Sequence, residues 1–472
     1  DLDGNPRPNP DGSLPDMGAY ESSYGVAPHY GPVWHVDGSV ELPYGNGGPG
    51  SPYYSIGQGI AAASDGDTVL VAASTYMENI DFGGKDIVML GEDRETTIID
   101  GNQSGRVITF STGSSSTTPV LDGFTIRNGS APETNEWPYC AGGGIFIDDS
   151  NEPTLRNLII TNNSSESSQE SNWGWGGGIY TESDFTLTNS VVSNNTSDNA
   201  AGIYGLSGSN VAEITNVTIS GNTANRSDGG ISVGGNDHVL RNLIISDNTS
   251  LIWGGGGIGC YGSPVFYNCL IKNNTAYQYG GAFATANNPG PIFVNCTFVE
   301  NTSGMVEAAL HVNAGEATFI NCIIWDPGTE QLRFNGTFPH TVNFVNSLVK
   351  GGIESIASMY NYSYNTINWD DAGNIDSNPL FADSTNGDFH LSALSPGISA
   401  GISSTTITHN DGNWDDEPNY YDVEYTAAED DLDGNPRPNP DGSVLDIGAY
   451  ESSYGVVPHY GPVWHVDGSV EL

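Results

Sequence analysis

Three short stretches, Leu155-Arg-Asn-Leu-Ile-Ile160, Ile214-Thr-Asn-Val-Thr-Ile219 and Phe293-Val-Asn-Cys-Thr-Phe298, share one design: an apolar or β-branched run, an asparagine, and a second such run. The asparagine recurs as Asn157, Asn189, Asn216, Asn242, Asn268, Asn295, Asn321 and Asn346, at spacings of 32, 27, 26, 26, 27, 26 and 25 residues. Alternating runs of this length read as strands, and asparagine between them reads as a turn. A second marker keeps the same register, a glycine-rich step into a strand at Gly142-Gly-Gly-Ile145, Gly176-Gly-Gly-Ile179, Gly229-Gly-Ile231, Gly255-Gly-Gly-Ile258 and Gly280-Gly-Ala282. Polar turns such as Asn194-Asn-Thr196, Gly221-Asn-Thr223 and Asn273-Asn-Thr275 close each period.

A period of about 26 residues with three turns and no helical pattern is one coil of a parallel β-solenoid, each coil burying its inward side chains on the next. The expected fold class is therefore all-β, a right-handed parallel β-helix. The eight asparagines should stack as a hydrogen-bonded ladder. Ahead of the regular coils, Ser55 can cap a short helix whose Ile56 and Ile60 would cover the open first coil. Cys269, Cys296 and Cys322 each follow a ladder asparagine and are expected to be buried, reduced and apolar in role; with Cys140 and Cys260 they form an odd set, unlike a disulfide framework.

A longer repeat encloses the short one. Residues 1–42 return at 431–472 with four differences, Leu14/Val444, Pro15/Leu445, Met17/Ile447 and Ala27/Val457, a period of 430 residues. The expected organisation is residues 1–33 as the end of a preceding unit with its linker, 34–354 as the β-helix, 355–454 as a small β-rich module with an acidic insertion at 402–428, and 455–472 as the start of a following unit.

Two groups of segments resemble known families. Ser64-Asp-Gly-Asp-Thr-Val-Leu-Val71, Thr75-Tyr76 with Glu78-Asn-Ile80, and Leu121-Asp-Gly-Phe-Thr-Ile-Arg-Asn-Gly129 resemble a bacterial group of secreted right-handed parallel β-helix proteins. Asn374-Ile-Asp-Ser-Asn-Pro-Leu-Phe381, Gly387-Asp-Phe-His-Leu391, Leu394-Ser-Pro396 and Asp446-Ile-Gly-Ala-Tyr-Glu451 look like the choice-of-anchor Q module. One departure is Ser399, where that pattern more often has aspartate. The resemblance implies export and a place at a cell surface, and leaves activity open.

Twelve Lys and Arg against 57 Asp and Glu give a formal charge of −45, which repels nucleic acid, anionic lipid and polyuronates alike. No apolar run reaches the length of a membrane-spanning helix. The partner classes left are divalent cations, neutral glycans and proteins, neighbouring copies of the unit above all, head to tail or side by side.

Candidate sites follow from this. Asp431, Asp433, Asn435 and Asp441 place oxygen ligands on a glycine-containing loop, and Asp411, Asn413 and Asp415 form a second acidic cluster; both suit Ca²⁺, against the reading that their carboxylates serve their own turns or solvent. Arg437 is expected to pair with Asp446 or Glu451. Trp137, Trp173, Trp175, Trp253, Tyr277 and Tyr279 fall in or beside the loops before the glycine-rich step, in one register, where they could bind a neutral glycan, a second filament, or their own loops. Asp148 and Asp149 are the nearest approach to a glycosidase pair, but neighbours on a strand face opposite ways. Arg127, Arg156, Arg241 and Lys272 form no evident cluster with carboxylates. The expected function is a structural unit of an extracellular fibre or adhesin stalk, without enzyme activity; the alternatives are a carbohydrate-binding surface protein, or a polysaccharide lyase or hydrolase.

Overall fold

The computed structural model describes residues 32–40, 45–111, 118–134, 140–149, 151–168, 173–206, 211–235, 238–285, 290–305, 308–313, 315–334, 340–358, 365–410 and 420–455. Four parallel sheets run along one axis. A 13-stranded sheet extends from Val33–Val36 to Thr366–Trp369, two 11-stranded sheets lie beside it, and a shorter 8-stranded sheet flanks the middle coils. The asparagine stretches cross from the 13-stranded sheet into one 11-stranded sheet; the glycine-rich steps lead into the other. The polar closing turns are themselves strands, such as Thr223–Ser227, so a middle coil has four strands where sequence periodicity indicated two with turns between. These residues alternate small and polar, without the apolar run by which a strand announces itself.

The three longer sheets each feed one interior column. Leu155, Leu187, Ile214, Leu240, Phe266, Phe293, Phe319 and Phe344 come from the 13-stranded sheet, Ile160, Val192, Ile219, Ile245 and Ile271 from its neighbour, and Ile145, Ile179, Ile203, Ile231 and Ile258 from the third; all are at most 2% exposed. Toward the C-terminal end the first column becomes an aromatic stack, with ring centroids 4.9 Å apart for Phe266–Phe293, 5.4 Å for Phe293–Phe319 and 5.1 Å for Phe319–Phe344. The N-terminal helix is Ile56–Ala62, capped by Ser55 and Gln58 as a reciprocal pair, and its Ile56 and Ile60 close the first coil. All five cysteines are free and buried.

The asparagine column is a ladder over part of its length. All eight members hold positive φ, which asparagine tolerates best after glycine. Side-chain amides bond in series from Asn216 to Asn189 (3.3 Å), Asn242 to Asn216 (3.1 Å) and Asn268 to Asn242 (3.1 Å). Beyond that the expectation is corrected: Asn295, Asn321 and Asn346 donate instead to the carbonyls of Asp446 (3.4 Å), Ile402 (2.8 Å) and Ala400 (3.1 Å). A second ladder lies inside the coil. Asn163, Asn195, Asn222, Asn248, Asn274 and Asn301 are at most 1% exposed, and each amide oxygen from Asn195 on accepts both the backbone and the side-chain N–H of the preceding member. It ends on Asp326, whose buried carboxyl takes the bonds of Asn301 and is pushed up to about 7 by desolvation.

The C-terminal module explains the switch in the outer column. It is laid along the solenoid's flank and does not cap its end. Ile407 and Tyr425, on the hairpin of Ser404–Asn410 and Tyr420–Thr426, pack on Ile292, Val294 and Ile320; Leu391 and Ile447 pack on Ile323 and Leu348. Glu316 and His409 add a buried contact at 3.2 Å. The last solenoid strand, Thr366–Trp369, lies beyond the boundary expected at residue 354.

Candidate functional site

The tryptophans converge where the regular column of outward side chains is interrupted. On the sheet after the glycine-rich step, Phe146, Tyr180 and Tyr204 lie in register on successive coils and stack outward, at 5.4 and 5.7 Å. The next two coils carry Ser232 and Gly259 in that column. The missing bulk leaves a cleft of about 370 Å³ beside the 8-stranded sheet, lined by Trp173, Trp175, Tyr204, Arg226, Asp228, Trp253 and Tyr261 among others. Its size falls within the range of small-molecule sites, about 300–1,000 Å³.

Each wall is positioned by local structure. Trp175 ends the strand Gly174–Trp175 and sits 4.5 Å from Tyr204, while Trp173 lies 6.4 Å from Trp175. Trp253 is held by a bridge to Ser227. The Arg226 guanidinium lies 4.3 Å from the Trp173 ring centroid and 5.1 Å from that of Trp253, pinning the two indoles from the next strand. Its Nε is buried without a hydrogen-bond partner.

Asp228 forms the floor. It is 2% exposed, accepts the Tyr261 hydroxyl at 2.9 Å and the Gly255 N–H at 3.2 Å, and is also bonded by the Ser232 side chain. Burial is the dominant influence and pushes its carboxyl up to about 6. The negative charge of Asp228 and burial together drive the Tyr261 phenol far above its usual value, and Tyr204 is raised to about 12, by burial first and Asp228 second. A Cβ on Gly259 would meet the Asp228 carboxyl carbon at 2.1 Å, so glycine there makes room for the acid.

This carboxyl makes stability pH-dependent. A folded-state value of about 6 against 3.8 unfolded means the native state holds the proton more tightly, so the contribution is full below 3.8 and is lost as pH rises through 6. Between pH 4 and 7 the loss should be on the order of 3 kcal/mol. Urea unfolding followed at both pH values should show that slope reduced in Asp228→Asn; an unchanged slope would place the titration elsewhere.

Of the aromatic residues expected to form a binding stripe, Trp173, Trp175 and Trp253 do gather here. Tyr277 is 58% exposed and lies further along, on the coil that pairs with Thr249–Ser250, and Tyr279 stacks on His311 at 4.5 Å, so the stripe is divided. Trp137 lies outside the described residues, as do Asp411, Asn413 and Asp415. In the other acidic loop, the buried Asp431 carboxylate accepts N–H bonds from Asp433 (3.0 Å), Asn435 (backbone, 2.7 Å; side chain, 3.1 Å) and Glu451 (2.8 Å). Asp433 turns to His390 at 2.8 Å and Asp441 is exposed, so these oxygens do not converge. Among the described residues, no group of three or more His, Cys, Asp or Glu side chains is arranged to hold a metal ion. Arg437 takes Glu451, at 2.8 Å, with both side chains fully buried. Asp148 and Asp149 share a local turn contact at 3.0 Å.

Arg226, Asp228, Tyr204 and Tyr261 escaped the sequence reading. One signal was available: three residues before the strand isoleucine or phenylalanine, other coils have Gly142, Gly176, Ala200 and Gly280, all at positive φ, where this coil has the charged Asp228.

Sequence comparison matches residues 201–372 to the model of the right-handed β-helix region. The match covers the middle coils, and the fold of the described residues is a right-handed parallel β-helix. No curated protein matches its sequence. Among solved structures, this β-helix is similar to pectate lyase Pel9A, at 14% identity and a TM-score of 0.44, over 89% of this chain and 96% of that one. It is also similar to a pectin methylesterase from carrot (11% identity, TM-score 0.30, 78% and 99% covered) and to the GH136 lacto-N-biosidase from Eubacterium ramulus (13% identity, TM-score 0.34, 73% and 67% covered). These likenesses concern the fold. They nevertheless correct the expectation that enzyme activity is absent: solved proteins similar in fold to this β-helix are by name enzymes, so that exclusion is withdrawn. No helix among the described residues is long and apolar enough to cross a membrane.

Proposed function

We propose that this β-helix recognises carbohydrate, through the cleft walled by Trp173, Trp175, Tyr204 and Trp253. The observation that carries this reading is an aromatic-walled cavity with a few converging polar groups, Arg226, Asp228 and Tyr261, on an otherwise polar, acidic surface. Aromatic faces suit the C–H faces of a sugar ring, and the buried donors and acceptors suit its hydroxyls. A neutral glycan fits best with a protein of charge −45. Calorimetric titration with neutral oligosaccharides should give saturable binding that Trp175→Ala and Tyr204→Ala weaken at least tenfold while the fold, followed by circular dichroism, is unchanged. Binding indifferent to both substitutions would dismiss the cleft.

A second reading rests on Asp228. A carboxyl held near pH 6 on the floor of a sugar-sized cleft can give and take a proton at working pH, as a general acid or base must. In that case the bound glycan is also cut. Release of reducing ends that disappears in Asp228→Asn, with binding retained, would support it. Repetition of the unit with a 430-residue period on an extracellular stalk would array such clefts at regular spacing.

A further inference from the structure

From Asn248 to Val299, the length of two coils, the chain has one charged side chain, Lys272, and no carboxylate, although it holds 57 Asp and Glu in all. Lys272 itself turns to the C-terminal module, 5.5 Å from the Phe389 ring centroid. The same acid-free band is where apolar surface collects. Sixteen large apolar side chains stand exposed among the described residues. Three of them, Trp173, Trp253 and Tyr261, line the aromatic cleft, and four more, Leu251, Ile252, Tyr277 and Met305, follow on the coils beside it. Single apolar residues scattered over a surface are ordinary, whereas a group of them within a polar surround marks a contact.

Backbone register makes those four residues one strip. Thr249–Ser250, Thr275–Ala276 and Thr302–Ser303 pair in parallel on successive coils, so the residues after them fall into columns. Leu251 and Tyr277 share one column, and Ile252 and Met305 the next. The Tyr277 N–H donates to the Ser250 carbonyl and the Gly304 N–H to the Ala276 carbonyl, both at 2.9 Å, which keeps the columns in step past the strand ends. Gly304, which continues the column of Leu251 and Tyr277, adds no side chain to cover the tyrosine. Trp253 belongs to the same loop as Leu251 and Ile252 and also lines the cleft, so the strip begins at the cleft wall. From there to Met305 it runs two coil steps, or ~10 Å.

We propose that the glycan taken by the cleft carries an aliphatic chain, alkyl or acyl, which lies along Leu251, Ile252, Tyr277 and Met305; this rests on the carbohydrate reading of the cleft. Trp175 and Tyr204, on the preceding coils, bound the cleft on its N-terminal side, and Asp228 is its floor. A substituent of the sugar then either points into solvent or turns past Trp253 onto the strip. Only the second course removes apolar surface from water on both partners. The missing carboxylates serve the same end, because a chain packed against one would cost it hydration. A single aromatic ring would cover about one coil, whereas the strip spans three and is built largely of flexible aliphatic side chains, which suits a flexible chain.

The test is calorimetric titration with matched methyl and octyl β-glycosides of glucose, galactose and N-acetylglucosamine, below the micellar concentration. For the sugar that binds, the octyl glycoside should bind at least tenfold tighter than the methyl one, a gain that burying two methylene groups already supplies. Leu251→Ser combined with Met305→Ser, at exposed positions where the fold is not at stake, should remove that gain and leave the methyl glycoside as it was. Trp175→Ala should weaken both ligands. An octyl gain that survives the double substitution, or no gain while both glycosides still respond to Trp175→Ala, overturns the chain and leaves the cleft reading standing. So does equal tightening by a phenyl glycoside, which has no chain, or equal binding of octylphosphocholine, which has no sugar. If no glycoside binds, or binding ignores Trp175→Ala, the cleft reading falls and this inference with it.

Discussion

Replacing Asn222 by alanine is expected to destabilise the solenoid by about 3–6 kcal/mol, more than any surface asparagine would. The side chain sits in the middle of the buried ladder. Its oxygen accepts the backbone and amide N–H of Asn195, both at 3.0 Å, and its amide donates to the Val192 carbonyl at 3.0 Å and to Asn248 at 2.9 Å. Truncation strands two donors of Asn195 and the Val192 carbonyl in a coil from which solvent is excluded, the Asn248 oxygen keeping the backbone N–H of residue 222, and each unsatisfied group costs about 1–3 kcal/mol. Asn222→Asp is expected to be no milder, because a carboxylate would face the Val192 and Asn248 oxygens. The outer ladder supplies the control. Asn216 holds φ at +56° on an exposed turn, so Asn216→Gly keeps the backbone geometry and should change stability by less than about 1 kcal/mol. Urea unfolding midpoints compare the three variants. Equal effects at Asn222 and Asn216 would mean the buried ladder contributes nothing beyond its turns.

Replacing Arg437 by methionine should have a comparable effect, about 3–5 kcal/mol, confined to residues 431–452. Neither it nor Glu451 has exposed side-chain surface, so removing the guanidinium leaves a carboxylate buried without its counter-charge. Burial already raises the Glu451 carboxyl to about 7. A raised acid favours its protonated form in the fold, so the defect should ease as pH falls through that value. Pairing the change with Glu451→Met should be milder than the single substitution, since both charges then go. Hydrogen exchange at Ile447, Gly448 and Ala449 reads the contact of this segment with the solenoid directly. Protection there unchanged in Arg437→Met would show that the ion pair does not hold it.

The solenoid was legible because its coil repeats. Asn157 and its seven successors marked the register, and the runs on either side read as strands. What periodicity could not reveal was the fate of single positions. The outer ladder is broken at Asn295 because Asp446, 151 positions later, supplies a competing carbonyl, and nothing near Asn295 in sequence announces it. The inner ladder was visible as the second asparagine of Asn194-Asn195-Thr196 and Asn273-Asn274-Thr275, but side-chain direction separates it from its solvent-facing neighbour, and composition does not.

The cleft was half legible for the same reason. Trp173, Trp175 and Trp253 share a register and were grouped by it. Tyr204, Arg226 and Asp228 join them through the stacking of coils. A cavity also depends on what is small, and Ser232 and Gly259 open this one by failing to continue the column of Phe146, Tyr180 and Tyr204. The −45 charge argued against anionic substrates, yet it is spread over the whole chain, while the cleft is lined by one arginine, Arg226, and one carboxyl, Asp228, which burial pushes up to about 6.

A crystal structure of the protein soaked with the neutral oligosaccharide that binds most tightly in titration tests the central claim most directly. The account predicts a sugar ring in the cleft, packed on Trp175 or Tyr204, with hydroxyls within hydrogen-bond distance of Arg226 and of Asp228 or Tyr261. A sugar bound elsewhere on the solenoid, with the cleft empty, would contradict it.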